Sequence, residues 1–206
     1  ERRLARKIEN CLSLDYPPEQ LDLIIVSDGS TDRTDEVVSR CAARFPGRIT
    51  LISLPEQGGK ARALNIAAAS ASGEILLLTD VRQRFDSQVA RMLVRNFADP
   101  QVGAVSGELF LLAEGAREKP EGLGLYWRYE KAIRQAESLS GSTVGYTGAI
   151  SAIRRELFVP LPHDTLVDDL VTPLQVEAQG YRVVFEPAAH AFDHISPTPG
   201  HEFSRK

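Results

Sequence analysis

Leu21-Asp22-Leu23-Ile24-Ile25-Val26 runs directly into Ser27-Asp28-Gly29-Ser30-Thr31-Asp32, and this stretch decides the fold. A short apolar run that ends in a polar, glycine-bearing cluster is a strand followed by a turn. Helical spacing then resumes over residues 34–45, with Asp32 placed to cap it. The unit is β-loop-α. Upstream, Leu4, Ile8, Cys11 and Leu12 recur at helical spacing and stop at Asp15-Tyr16-Pro17-Pro18. Downstream, residues 49–54 form a second strand entering Glu56-Gln57-Gly58-Gly59-Lys60, and the alanine-rich residues 61–70 have high helix propensity. A third strand, 74–79, ends at Asp80. This alternation is the mark of a parallel sheet flanked by helices. Beyond it the pattern predicts a helix over 86–97, a strand over 102–112, a polar loop over 114–122 and a helix over 125–139. A strand over 149–153, an Asp-rich turn over 164–169, a helix to about 179 and a strand over 182–186 complete the series.

With 206 residues, 43% hydrophobic and 25% charged, the chain can bury one substantial core and lies away from disordered compositions. A net charge of -4 provides no basic field for nucleic acid or an anionic membrane surface. No run approaches the roughly 18 apolar residues of a spanning helix, and Glu1-Arg2-Arg3 does not resemble a signal peptide. A soluble domain is expected, with any membrane segment outside it. Cys11 and Cys41 lie in helical patterns with no CxxC pair, so buried, reduced thiols are expected.

In open α/β sheets, ligands bind beyond the carboxyl ends of strands, where Asp28 and Asp80 sit. Placed side by side, they could reach one ligand, one towards a base or ribose and the other towards a metal-bound diphosphate. Each alone also suits a helix cap or Asx-turn. Gly58-Gly59-Lys60 before a helix could bring backbone amides and an ammonium to phosphate, or simply turn and cap the chain; it is not a Walker loop. Asp168-Asp169 places adjacent carboxylates at a helix start, where mutual repulsion tends to raise one pKa and suits a general base. Acidic residues there also complement the helix dipole.

These residues resemble the family 2 glycosyltransferases of GT-A fold, over nearly the whole chain. Ile25 to Asp32 is similar to the family's nucleotide-binding loop, with Asp28, Gly29 and Ser30 as donor-site residues. Gly59-Lys60-Ala61-Arg62-Ala63-Leu64-Asn65 resembles its Gly-Lys-x-x-Ala-Leu-Asn segment, which brings in Lys60 and Asn65. Leu78-Thr79-Asp80 stands at its metal-holding Asp-x-Asp motif. Residues 148–155 resemble its acceptor-side Gly...Arg-Arg segment, making Gly148 and Arg154 acceptor-side candidates, and Val167-Asp168-Asp169 fits the Thr-Glu-Asp position whose last acid is the catalytic base.

The resemblance implies an α/β GT-A domain over residues 1–206 with a mostly parallel central sheet, its first strand and C-terminal region lying outside the chain. It further implies an enzyme that moves a sugar from a nucleoside diphosphate donor, most commonly a UDP-sugar, to a carbohydrate or lipid-linked acceptor hydroxyl with inversion. The expected setting is polysaccharide or glycolipid synthesis at the cytoplasmic face of a membrane. Asp169 would be the base with Asp168 beside it, and Asp80 would hold Mg²⁺ or Mn²⁺. Arg82 stands where a second metal-binding Asp is expected; a guanidinium cannot ligate a cation but can neutralise diphosphate directly. Trp127, in an aromatic group on a helix, is either an acceptor-stacking residue or packed inward. His190, His194 and His201 read as surface or packing residues, with His194 able to approach the phosphates. The competing readings are a sugar nucleotidyltransferase, which would want a Gly-rich basic opening loop, and a non-catalytic GT-A-like domain, which Arg82 favours and Asp169 opposes.

Overall fold

Apolar runs become strands and 3.6-residue patterns become helices in a computed structural model that describes residues 2–112, 125–143 and 146–194. For Arg2, Leu125 to Arg128 and His194 the backbone alone is described. The chain opens with α1 (Arg2–Leu12), then β1 (Leu23–Asp28), α2 (Thr34–Arg44) and β2 (Ile49–Leu54). β1 and β2 pair in parallel, from Leu23 opposite Ile49 to Asp28 opposite Leu54. Leu4 and Ile8 of α1 and Val38 and Cys41 of α2 pack against Leu23, Ile25, Ile49 and Leu51, so both helices cover one face of this pair. Cys11 and Cys41 are free and buried, as expected.

α3 (Gly59–Ser70) leads to β3 (Ile75–Leu78), followed by β4 (Arg84–Phe85), α4 (Val89–Val94), β5 (Val102–Leu112), α5 (Leu125–Ser140), β6 (Ser151–Arg154), α6 (Asp168–Ala178) and β7 (Arg182–His194). The second sheet has the order β3-β6-β5-β7-β4. Only β5 and β7 run parallel within it; β3 with β6, β6 with β5 and β4 with β7 are antiparallel. The α/β class stands, but the sheet is mixed rather than mostly parallel. An apolar run has no direction; the end from which the chain re-enters the sheet decides it.

Two elements depart from their expected lengths for visible reasons. The Asp86 amide donates to the His190 carbonyl at 3.0 Å, which holds residues 86–88 out of α4, and residues 95–98 tighten into a 3₁₀ turn. β7 runs on past Glu186 through Pro187, which a strand interior would reject. It does so at a shift in register, where Ser106 faces Phe185 and Glu108 faces His190, so Pro187 need not donate to the ladder. The main core, with Phe85, Val89, Leu93, Val105, Ile150 and Ala191 nearly inaccessible, lies where α4 packs on β5, β6 and β7. The Val, Leu, Ile and Phe side chains among them each contribute about 1.5–3 kcal/mol on burial.

β1 and β3 are edge strands of their two sheets. Between them lies a slot of about 330 Å³, lined by Leu23 and Ile24, by Ile75 and Leu77, by Leu64 and Ala67 of α3 and by Cys11 and Leu12 of α1.

Candidate functional site

The carboxyl ends of β1 and β3 meet at the N-terminus of α3. Asp28 accepts hydrogen bonds from the Gly58 and Gly59 amides, both at 2.8 Å, one to each oxygen. Those two amides are therefore engaged by Asp28 and are not presented to a phosphate, which corrects that part of the expectation for Gly58-Gly59-Lys60. Gly29 makes the approach possible: it lies at φ +64, and a Cβ there would stand 2.5 Å from the Gln57 nitrogen. Ser30 is exposed on the same loop.

Pinned in this way, α3 projects Lys60 across to two carboxylates. Its Nζ is 2.8 Å from Asp168 Oδ2 and 3.6 Å from Asp80 Oδ1. Burial alone would lower the Lys60 pKa, but the Asp168 hydrogen bond and the charges of Asp80, Asp168 and Asp169 outweigh it and hold it above the ordinary value. Asp168 and Asp169 open the first turn of α6, where they also complement the helix dipole. Lys60 anchors Asp168, whereas Asp169 is exposed and lines a cleft of about 300 Å³ with Lys60, Asp80, Arg82 and Gly148. Gly148 abuts the pair: a Cβ there would lie 3.3 Å from Asp168 Oδ2 and from Asp169 Cβ, and 3.7 Å from Lys60 Nζ. Behind them the buried Tyr146 phenol is pushed above its ordinary pKa by desolvation and stays protonated.

Other expected site residues lie elsewhere or act differently. Asn65 donates to the Leu161 carbonyl and accepts from the Leu161 amide, both at 2.8 Å, so it fixes the loop that enters α6. Arg154 donates to the carbonyls of Val102, Phe97 and Asp99 at 2.8–3.2 Å. It pairs with Ile75, at the end of β3 away from Asp80, so it acts there as a clamp on the segment that leads from α4 into β5. Trp127 lies in the first turn of α5, but its side chain falls outside the described residues, as do the His194 side chain, His201 and the 114–122 loop. His190 packs edge-on against Phe110 at 5.3 Å, in keeping with a packing residue.

Sequence reasoning missed Lys7, Gln83 and Asp193. Asp193 Oδ2 accepts from Gln83 Nε2 at 2.9 Å and faces Arg82 Nη2 at 3.5 Å, so it orients the guanidinium at the cleft. Lys7 lies beneath that turn, and burial pushes its ammonium below the ordinary pKa while Cys11 and Asp80 oppose the shift. Lys7 was detectable, being a charge three residues after Leu4 and four before Cys11, inside the apolar stripe of α1. Asp193 carried no such signal, because the strand was expected to end before Pro187. Among the described residues no group of three or more His, Cys, Asp or Glu side chains gathers as a metal site, and no helix is long and apolar enough to cross a membrane.

The family model for glycosyl transferase family 2 matches residues 1–160. The chain is 27% identical over 202 residues to poly-β-1,6-N-acetyl-D-glucosamine synthase of Staphylococcus aureus, covering 94% of this chain and 47% of that protein. The Staphylococcus epidermidis synthase is 25% identical with the same coverage. The chain thus spans about half the length of these relatives, at 47%. Among solved structures, the mannosyltransferase PcManGT from Pyrobaculum calidifontis, in complex with GDP-Man and Mn²⁺, superposes with a TM-score of 0.83 at 29% identity, covering 98% of this chain and 56% of that one. Staphylococcus aureus TarS in complex with UDP-GlcNAc shares the fold, with a TM-score of 0.66 at 16% identity over 96% of this chain and 56% of that one.

Proposed function

The chain belongs to glycosyl transferase family 2, and on that premise we propose that it transfers a sugar from a nucleoside diphosphate donor to an acceptor hydroxyl, with inversion, in polysaccharide synthesis. The observation that carries the reading is the convergence of Lys60, Asp80, Arg82, Gly148 and Asp169 on one cleft, from segments as much as 109 residues apart in sequence. Asp169 is the exposed carboxylate of the α6 pair and takes the acceptor proton; the acceptor oxygen then attacks the anomeric carbon opposite the departing diphosphate. A positioned general base contributes about 10²–10⁴-fold. Lys60 and Arg82 meet the charge that develops on the diphosphate, each held by a carboxylate before substrate arrives, so little reorganisation is needed. Asp28 acts on the donor through α3, whose start it pins, and through the loop of Gly29 and Ser30. Trp127 belongs to the acceptor side in this reading only by resemblance, and Arg154, turned to the carbonyls of Phe97, Asp99 and Val102, has no part in it.

The PcManGT structure contains GDP-Man and Mn²⁺, and a divalent ion here would supply further positive charge against the leaving diphosphate. Asp80, 39% exposed and opening into the cleft, is the carboxylate that would hold it. One carboxylate makes only part of a shell, so donor phosphates and water would complete it.

The finer parts of the proposal are a UDP-sugar donor, a carbohydrate or lipid-linked acceptor, and attachment to the cytoplasmic face of a membrane through segments outside residues 1–206. The slot between β1 and β3 supports the expectation that one further strand completes the catalytic unit. The test is donor hydrolysis and transfer by the full-length protein over a panel of nucleotide sugars, with Mg²⁺, Mn²⁺ or chelator. Turnover of at least one donor is expected; turnover of none would leave the non-catalytic reading standing.

A further inference from the structure

Beneath the turn that carries Asp80 and Arg82 lies a lysine that the transfer mechanism does not use. Lys7, on α1, is 7% exposed. Its Nζ donates to Thr79 Oγ1 and to the Gln83 carbonyl, both at 2.8 Å, and stands 3.7 Å from the centre of the Phe85 ring. These partners are a hydroxyl, a carbonyl and a ring face; among the described residues no carboxylate pairs with it. A buried ammonium held by neutral groups costs more than an apolar side chain of the same size, so packing alone does not account for it.

The placement of its two acceptors does account for it. Thr79 immediately precedes Asp80, and Gln83 immediately follows Arg82, so one ammonium staples the two ends of the turn that presents both charged groups. Asn10, one helical turn further along α1, continues the grip by donating to the Phe85 carbonyl at 3.0 Å and accepting from its amide at 2.7 Å. The buried Gln83 side chain in turn holds Asp193, which orients Arg82. We propose that Lys7 is a positioning residue for the donor diphosphate: by tying Thr79 to the Gln83 carbonyl, it holds in place both Arg82, which meets the diphosphate directly, and Asp80, which would meet it through a divalent ion. The inference rests on the transferase reading.

The test is calorimetric titration of the full-length protein, in Mg²⁺, with UDP and UMP and with GDP and GMP. Lys7→Met keeps an unbranched apolar side chain of similar length at that position and removes the donors. It should weaken binding of the diphosphate about tenfold while the monophosphate stays within about twofold, the scale of one charged hydrogen bond. Equal loss for both nucleotides makes Lys7 merely structural and overturns the proposal, as does no loss for either. Should Lys7→Met fail to fold, Thr79→Val removes one acceptor from the opposite side. The same selective loss, about threefold, then supports the proposal, and equal or absent loss overturns it. A wild-type protein that binds no nucleotide overturns the transferase reading itself, a result seen before any substitution is made.

Discussion

Gly148→Ala adds one methyl group at the point where Lys60, Asp168 and Asp169 meet. The added carbon would stand 3.3 Å from Asp168 Oδ2 and from Asp169 Cβ, and 3.7 Å from Lys60 Nζ. Contacts of 3.3 Å are a few tenths of an ångström too close, so the first turn of α6 must yield by that amount. Gly148 is not among the positive-φ glycines, so alanine suits its backbone and the fold should tolerate it. A displacement of 1 Å at a reacting group can cost about 10²-fold, and a few tenths therefore about three- to tenfold. The expected outcome is kcat for transfer down by about that factor, donor KM changed less than about twofold, and Tm within about 2 °C of wild type. Gly148→Val, with two more carbons in the same space, should reduce kcat by about 10²-fold or more. Steady-state kinetics of the full-length protein with thermal unfolding in parallel would measure all three. Unchanged kcat in Gly148→Ala would refute the claim that Asp169 must hold its place against residue 148, and a large fall in Tm would move the effect from the site to the fold.

Asp169→Asn keeps the shape but cannot accept a proton, so transfer should fall by about 10²-fold or more with nucleotide binding nearly intact; a loss below tenfold would reassign the base. Asp28→Ala leaves the Gly58 and Gly59 amides without their acceptor and should cost about 1–3 kcal/mol in urea unfolding as well as weakening nucleoside diphosphate binding. Binding unchanged beside lost stability would make Asp28 a cap alone. Lys60 has a folded-state pKa above its ordinary value of 10.5, so its stabilisation is complete below that pH and disappears as pH rises through the higher folded value. Wild-type stability should therefore fall more steeply than that of Lys60→Met above pH 10.5, and parallel curves would contradict the pairing with Asp168.

By itself the sequence determined what depends on neighbours a few residues apart. The strand-turn-helix units, the strands at residues 49–54 and 102–112 and the acid pair opening α6 all follow from local periodicity and turn chemistry. Asp32 accepts from the Thr34 amide at 3.0 Å, but from the position before the N-cap, which is Arg33 and not Asp32 as expected. The resemblance of the motifs to family 2 also singled out Lys60, Asp80, Gly148 and Asp169, and these four line one cleft. Tertiary structure alone decided the direction of β6, the passage of β7 through Pro187, and the partners of residues that look alike in sequence. Asn65 grips Leu161 across 96 positions, Arg154 reaches carbonyls more than 50 positions away, and Gln83 finds Asp193 across 110. Such pairings depend on how helices and loops pack on the sheets and on strand register, where sliding a strand by one residue turns every side chain to the other face, and no local pattern specifies either.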